Sequence, residues 1–193
     1  MAGLGALILV VGPSGAGKDT LLAGAARQLE ATGRFHFAQR AITRPADAGG
    51  EDHTPITEDD FLNAEAEGGF LLSWRAHGLC YGLPRAPLAK LREDGVAIVA
   101  NVSRSVIDDA RARLQPMAVI QVEADTEALA ERIAERGREA ADDAALRVAR
   151  ARAFNVSGHD VFTVRNDGTI AAGIERMTLA LEAASTAEWQ AAE

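Results

Sequence analysis

One lysine after a glycine-rich turn is the strongest chemical signal in the chain. The stretch Gly12-Pro13-Ser14-Gly15-Ala16-Gly17-Lys18-Asp19-Thr20 follows the apolar run Ala6-Leu7-Ile8-Leu9-Val10-Val11 and opens a helical pattern from Leu21 to Leu29. Strand, glycine-rich turn, lysine and helix together build a phosphate-binding loop. Glycines let backbone N–H groups curl around phosphate oxygens, and the helix N-terminus adds partial positive charge. Lys18 then reaches the outer phosphates as a compact ammonium. The chain has only two lysines, Lys18 and Lys90, amid many arginines, so a lysine kept here fits a site that needs a point charge rather than a planar fork. Asp19 departs from the consensus, because Ser or Thr ordinarily stands there to hold Mg²⁺.

Two arginine groups come next. Arg40-Ala41-Ile42-Thr43-Arg44 closes an expected strand with two guanidinium groups and a hydroxyl, a corner able to take the phosphate of an acceptor; surface arginines beside a turn are the plain alternative. Arg132, Arg136, Arg138, Arg147, Arg150 and Arg152 straddle Gly137 between two short helical patterns. Half of them are explained as a solvated face with i,i+4 ion pairs. The hinge-like Glu135-Arg136-Gly137-Arg138-Glu139 also suits a lid whose arginines swing over a triphosphate. His36, His53, His77 and His159 lack metal-ligand spacing and read as ordinary solvated or hydrogen-bonded histidines. Ser14 and Ser73 have no partner pattern of a nucleophile, and Cys80 reads as a packed thiol.

These groups need a scaffold, and the chain is long enough to supply one. Its 193 residues make one domain with a sizeable core, and 48% hydrophobic with 25% charged residues is the balance of a globular protein. A net charge of −8 argues against a general nucleic-acid surface. The single cysteine fits a reducing cytoplasm, and Leu4 to Val11 is too short to span a membrane. Strands are expected at 4–11, 35–43, 70–74, 96–100, 117–122 and 161–164. Helices are expected from Leu21, Thr57, Pro84, Val106, Asp125, Asp142 and Ile170. Apolar strands alternating with helices imply an α/β fold, a mostly parallel sheet with helices on both faces and ligands at the carboxyl ends of its strands. Residues 34–85 are more polar, with shorter strands and Arg40, Arg44, Arg75 and Arg85. They read as an inserted lobe, with 132–152 as the lid.

The motifs, in order, resemble those of guanylate kinases: Gly12 to Thr20, Thr43-Arg44-Pro45, Gly50-Glu51, Gly69-Phe70, Gly78 with Tyr81-Gly82, Arg136-Gly137 and Asn166-Asp167. The details are closer to a specialised relative, the ribose 1,5-bisphosphate phosphokinases, through Ile42-Thr43-Arg44-Pro45-Ala46, Leu72-Ser73-Trp74, Asn101-x-Ser103-Arg104 and Asn166-Asp167-Gly168. The resemblance implies a P-loop kinase fold with a five-stranded, mostly parallel sheet. It implies ATP and Mg²⁺ as cofactors and a phosphorylated sugar as partner, with no nucleic acid and no membrane. Gly12, Pro13, Ser14, Gly15, Ala16, Gly17, Lys18, Asp19, Thr20 and Asn166 would hold the nucleotide. Arg40, Thr43, Arg44 and Tyr81 would hold the acceptor, and Lys18, Arg136 and Arg147 would act on the transferring group.

The departures choose between the two families. Guanylate kinases read guanine with a hydroxyl, a Glu and an Asp whose positions align with Arg40, Leu72 and Asn101. Leucine and a neutral amide offer guanine no carboxylate, and losing such bonds costs discrimination heavily. The second corner arginine and the tyrosine after it have no counterpart between Asp47 and His53. A guanylate kinase and a non-catalytic binding module are the competing expectations. The middle strand lacks an aspartate at Val99 and Asn101, while the loop has gained Asp19. The expectation is that a carboxylate has moved from strand to loop and still serves Mg²⁺; a helix-start aspartate favoured by the dipole is the alternative.

Overall fold

Five residues in a row, Leu7 to Val11, are fully buried and form strand β1 (Leu7–Val11). A strand apolar on both faces must be covered on both, and it is. It pairs in parallel with β7 (Ala97–Asn101) on one side and β8 (Met117–Glu123) on the other. β2 (Phe35–Phe37) and β9 (Val161–Arg165) complete a sheet of order β2-β7-β1-β8-β9, parallel throughout. The computed structural model describes residues 3–46, 52–124 and 155–186. The lid arginines Arg132, Arg136, Arg138, Arg147, Arg150 and Arg152 and the helices expected from Asp125 and Asp142 lie outside them.

Alternation along β1 divides the core in two. Ile8 and Val10, with Ala118 and Ile120, pack under Leu21, Ala25 and Leu29 of α1 (Lys18–Leu29) and Met177 and Leu181 of the last helix, α5 (Ile170–Thr186). Leu7, Leu9 and Val11 face the other way. There they join Leu88 of α3 (Arg85–Glu93) and Ile107 and Ala110 of α4 (Ile107–Arg113). Each fully buried Leu or Ile contributes roughly 1.5–3 kcal/mol. At the end of the sheet where the strands begin, buried Arg92 donates to the carbonyls of Gly5, Leu114 and Pro116 at 2.8, 3.0 and 3.0 Å. Its burial pushes the guanidinium below its ordinary value.

A second sheet of order β4-β3-β6-β5 is built from β3 (Ala41–Ile42), β4 (Thr54–Pro55), β5 (Phe70–Ala76) and β6 (Leu79–Pro84). β5 and β6 form a hairpin turning at His77 (φ 52°) and Gly78 (φ 73°). Thr57 caps α2 (Glu58–Ala66) by accepting from the Asp60 N–H at 3.1 Å, as expected. One expectation fails. Phe35 to Thr43 is not a single strand: Phe35–Phe37 joins the large sheet beside Ala97–Val99, whereas Ala41–Ile42 joins the small one beside Tyr81-Gly82. The two sheets share a core, because Ile42, Leu72, Trp74, Tyr81 and Leu83 belong to the same buried cluster as Leu7 and Leu9.

Candidate active site

The phosphate loop leaves the carboxyl end of β1 and turns into α1 through Gly17, whose φ of 86° is left-handed and suits glycine. No side chain caps this helix start, so its first N–H groups face outward from the turn as anion donors. Lys18 folds back over the loop, its Nζ donating to the carbonyls of Gly12 at 2.8 Å and Pro13 at 3.0 Å. The ammonium is thus held against the start of the loop, which runs on through Ser14, Gly15 and Ala16 to Gly17, with Thr20 in the first turn of α1.

Asp19 stands in the first turn of α1 and is exposed. Parallel register sets Asn101, the last residue of β7, opposite Val10 of β1 and therefore next to the loop. Its amide Nδ2 donates to Asp19 Oδ1 at 2.8 Å. Among the described residues Oδ2 makes no hydrogen bond. An exposed carboxylate with one oxygen oriented by an amide and the other turned to solvent fits Mg²⁺, a hard cation that takes oxygen ligands and keeps several waters. The two positions linked by the family resemblance, a gained aspartate and a missing one, are hydrogen-bonded neighbours.

Asn166 lies on the loop's other flank. It is buried, and its Nδ2 donates to the Ala16 carbonyl at 2.8 Å. Gly173 of α5 makes room for it. A Cβ there would meet Asn166 Oδ1 and Leu21 Cδ2, each at 2.8 Å. Gly173→Ala is therefore expected to cost about 1–3 kcal/mol in urea denaturation. The displaced Asn166 should also loosen the loop and raise the KM for nucleotide.

Across from the loop, the acceptor corner is built on the small sheet. Trp74 and Tyr81 stack at 5.4 Å with their rings 5° apart, and the Arg40 guanidinium lies 5.5 Å over the Tyr81 ring. Burial pushes Arg40 below its ordinary value, while Asp19 and Tyr81 pull it back up. Arginine stays charged through such a shift, so a cation of the corner faces the carboxylate of the loop. Thr43 Oγ1 accepts from the Cys80 N–H at 2.8 Å, pinning β3 to β6 beside Arg44. Thr43, Arg44 and Cys80 line a cleft of about 420 Å³ together with Ile56, Thr57 and Glu58. Leu72, aligned with guanine's glutamate, is 2% exposed within the core. Ser73 donates to Glu65 at 2.7 Å, and Arg75 also binds that carboxylate, holding it down at about 2.

Asn101 is bonded to Asp19, the residue after Lys18, and Arg40, which lies over Tyr81, also feels the Asp19 charge. The structure also reveals one residue that sequence reasoning passed over. His53 is buried, and both its ring nitrogens meet Arg44. The only signal was its position just before β4, too weak to separate it from the other histidines.

No family model matches the chain. A protein named ribose 1,5-bisphosphate phosphokinase PhnN, from Brucella melitensis biotype 2, is 45% identical over 168 residues, which are 87% of this chain and 87% of that protein. The chain belongs to the ribose 1,5-bisphosphate phosphokinase family. The phosphokinase of that name from Agrobacterium fabrum is 43% identical over 164 residues, 85% of this chain and 89% of that one. A bifunctional ribose 1,5-bisphosphokinase-thymidine phosphorylase from Azorhizobium caulinodans is 46% identical over 94% of this chain. The chain spans only 26% of that longer relative. Among solved structures, guanylate kinase from Anaplasma phagocytophilum superposes with a TM-score of 0.67 at 18% identity, over 96% of this chain and 89% of that one. The chain thus shares the guanylate-kinase fold. Among the described residues no helix is long and apolar enough to cross a membrane.

Proposed function

We propose that the chain transfers the γ-phosphoryl group of ATP to the 1-phosphate of ribose 1,5-bisphosphate, releasing ADP and 5-phosphoribosyl 1-diphosphate. The observation that carries this reading is an acceptor corner rich in cations whose two positions aligned with the guanine-reading carboxylates hold Leu72 and Asn101 instead. Arg40 and Arg44 flank β3, Leu72 is sealed in the core, and the Asn101 amide is engaged with Asp19. A sugar carrying two phosphates uses such a corner, whereas guanine finds no carboxylate at either of those two positions to accept its N–H groups.

The attacking atom is an oxygen of the acceptor's 1-phosphate, anionic near neutral pH, so the reaction requires no general base. That oxygen forms the new bond to the γ-phosphorus as the bond to the β-phosphate oxygen breaks, and ADP leaves with the electron pair. Catalysis is then positioning and charge stabilisation. The loop amides and Lys18 hold the β- and γ-phosphates, and Asn166 steadies the loop through Ala16. Asp19 would hold Mg²⁺, which would supply charge neutralisation during the transfer. Arg44, Arg40, Thr43 and Tyr81 hold the acceptor. Arg136 and Arg147 are assigned to the transferring group on the resemblance alone.

The test is ³¹P NMR of reactions containing Mg·ATP with either ribose 1,5-bisphosphate or GMP. A diphosphate on ribose C1 is the expected product. Turnover of GMP alone would overturn the reading in favour of a nucleoside monophosphate kinase.

A further inference from the structure

Arg44 carries the acceptor corner, yet a long arginine at the edge of a cleft loses side-chain freedom each time it binds. The fold answers this with a histidine delivered by the neighbouring strand. β4 runs parallel to β3, with Ala41 opposite Thr54 and Ile42 opposite Pro55. The Thr54 N–H donates to the Arg40 carbonyl at 2.9 Å and the Ile56 N–H to the Ile42 carbonyl at 3.1 Å. These bonds fix the register and set His53, one residue before β4, against Arg44. Its Nδ1 lies 3.2 Å from Arg44 Nη2, and its Nε2 lies 3.1 Å from the Arg44 carbonyl oxygen. The imidazole is 7% exposed.

The chemistry leaves one assignment. A guanidinium only donates, so Nδ1 accepts from Arg44; a carbonyl only accepts, so Nε2 carries the proton and donates to it. One neutral tautomer satisfies both contacts. The ring grips the backbone and the charged end of the same arginine, nine residues back in the chain. We propose that His53 is a positioning residue that pre-orders Arg44 for the phosphate of the sugar acceptor. The proposal rests on the acceptor reading above and assigns the role to a residue that touches Arg44 rather than the reacting atoms. A brace of this kind lowers the cost of binding equally in ground state and transition state. Its removal acts on the KM of the acceptor and leaves kcat in place.

The experiment combines kinetics with a direct view of the ring. His53→Ala is expected to raise the KM for ribose 1,5-bisphosphate roughly tenfold, as loss of a hydrogen bond to a charged group does. The kcat and the KM for ATP should stay within about twofold of the parent values. His53→Asn, whose Oδ1 takes the place of Nδ1, should recover most of the loss. His53→Gln, which mimics Nε2 instead, should not. In an Arg44→Ala background, His53→Ala should add nothing further to the acceptor KM, because the guanidinium that Nδ1 orients is gone. Independently of turnover, ¹⁵N NMR of ring-labelled full-length protein should report the Nε2–H tautomer of His53. An unchanged acceptor KM in His53→Ala, an additive loss on top of Arg44→Ala, or an Nδ1–H tautomer would each overturn the proposal. Failure of the unsubstituted protein to phosphorylate ribose 1,5-bisphosphate sinks the acceptor reading instead, and the tautomer measurement still decides the brace.

Discussion

Lys18→Ala is expected to lower kcat by about a hundredfold to a thousandfold, the loss typical when a donor aimed at developing charge is removed. The melting temperature should remain close to that of the parent. The size of the effect follows from where Lys18 sits. Its ammonium is shared between the carbonyls of Gly12 and Pro13. It is already held against the loop and needs only to exchange neutral carbonyl oxygens for anionic phosphate oxygens. Among the described residues no second lysine stands in the loop: Lys90 lies on α3, and Arg40 is stacked on Tyr81 on the acceptor side. Lys18→Arg is expected to fail almost as badly, since a planar fork does not fit a turn shaped around a point charge. The stability cost is small because the bonds lost join a part-buried ammonium to loop carbonyls outside both hydrophobic clusters. Steady-state kinetics with saturating acceptor, paired with thermal melts, measure both quantities. A Lys18→Ala variant retaining more than a tenth of the parent kcat would remove the residue from the chemistry.

What the sequence disclosed and what it hid follow from how far each interaction reaches. Leu7–Val11, Ala97–Asn101 and Met117–Glu123 are legible because central parallel strands are buried on both faces and read as unbroken apolar runs. The loop is legible because its chemistry is local: glycines, lysine and helix start are neighbours in the chain. The stretch from Phe35 to Ile42 is misleading for the converse reason. Its residues keep a strand-like character throughout, but Phe35–Phe37 and Ala41–Ile42 choose partners about sixty and forty residues away in different sheets, and nothing local records that choice. The side-chain network is hidden in the same way. Asn166 meets Ala16 across 150 residues, and Asn101 meets Asp19 across 82. His53 lies only nine residues from Arg44, yet its role depends on β4 folding back beside β3. A lone histidine in a polar stretch carries no trace of that.

The contact between Asp19 and Asn101 turns an argument from family resemblance into a structural experiment. Asp19→Asn should raise the Mg²⁺ concentration giving half-maximal activity about tenfold or more, because a neutral amide is a poorer ligand for a hard cation than a carboxylate. Asp19→Ser restores the hydroxyl of the loop consensus but takes the carboxylate away. It should fall short as well, since no acidic residue stands at Val99 or Asn101 to support the metal. The informative variant moves the charge rather than deleting it. Asn101 Nδ2 lies 2.8 Å from Asp19 Oδ1, so Asp19→Ser combined with Asn101→Asp returns a carboxylate to within a few ångströms of its original place. That double variant should recover much of the Mg²⁺ affinity lost in Asp19→Ser. Asn101→Asp alone should be worse than either parent or double variant at low Mg²⁺, because two carboxylates would share a site that now holds one carboxylate and its amide donor. Metal titrations of activity, with binding of Mg²⁺–nucleotide followed separately by calorimetry, distinguish these outcomes. If Asp19→Asn and Asp19→Ser both match the parent in metal dependence and nucleotide binding, the aspartate serves only the helix start. A rescue by the swapped pair would mean that loop and strand form one interchangeable seat for the metal's carboxylate, a link that the lone aspartate in the loop does not reveal.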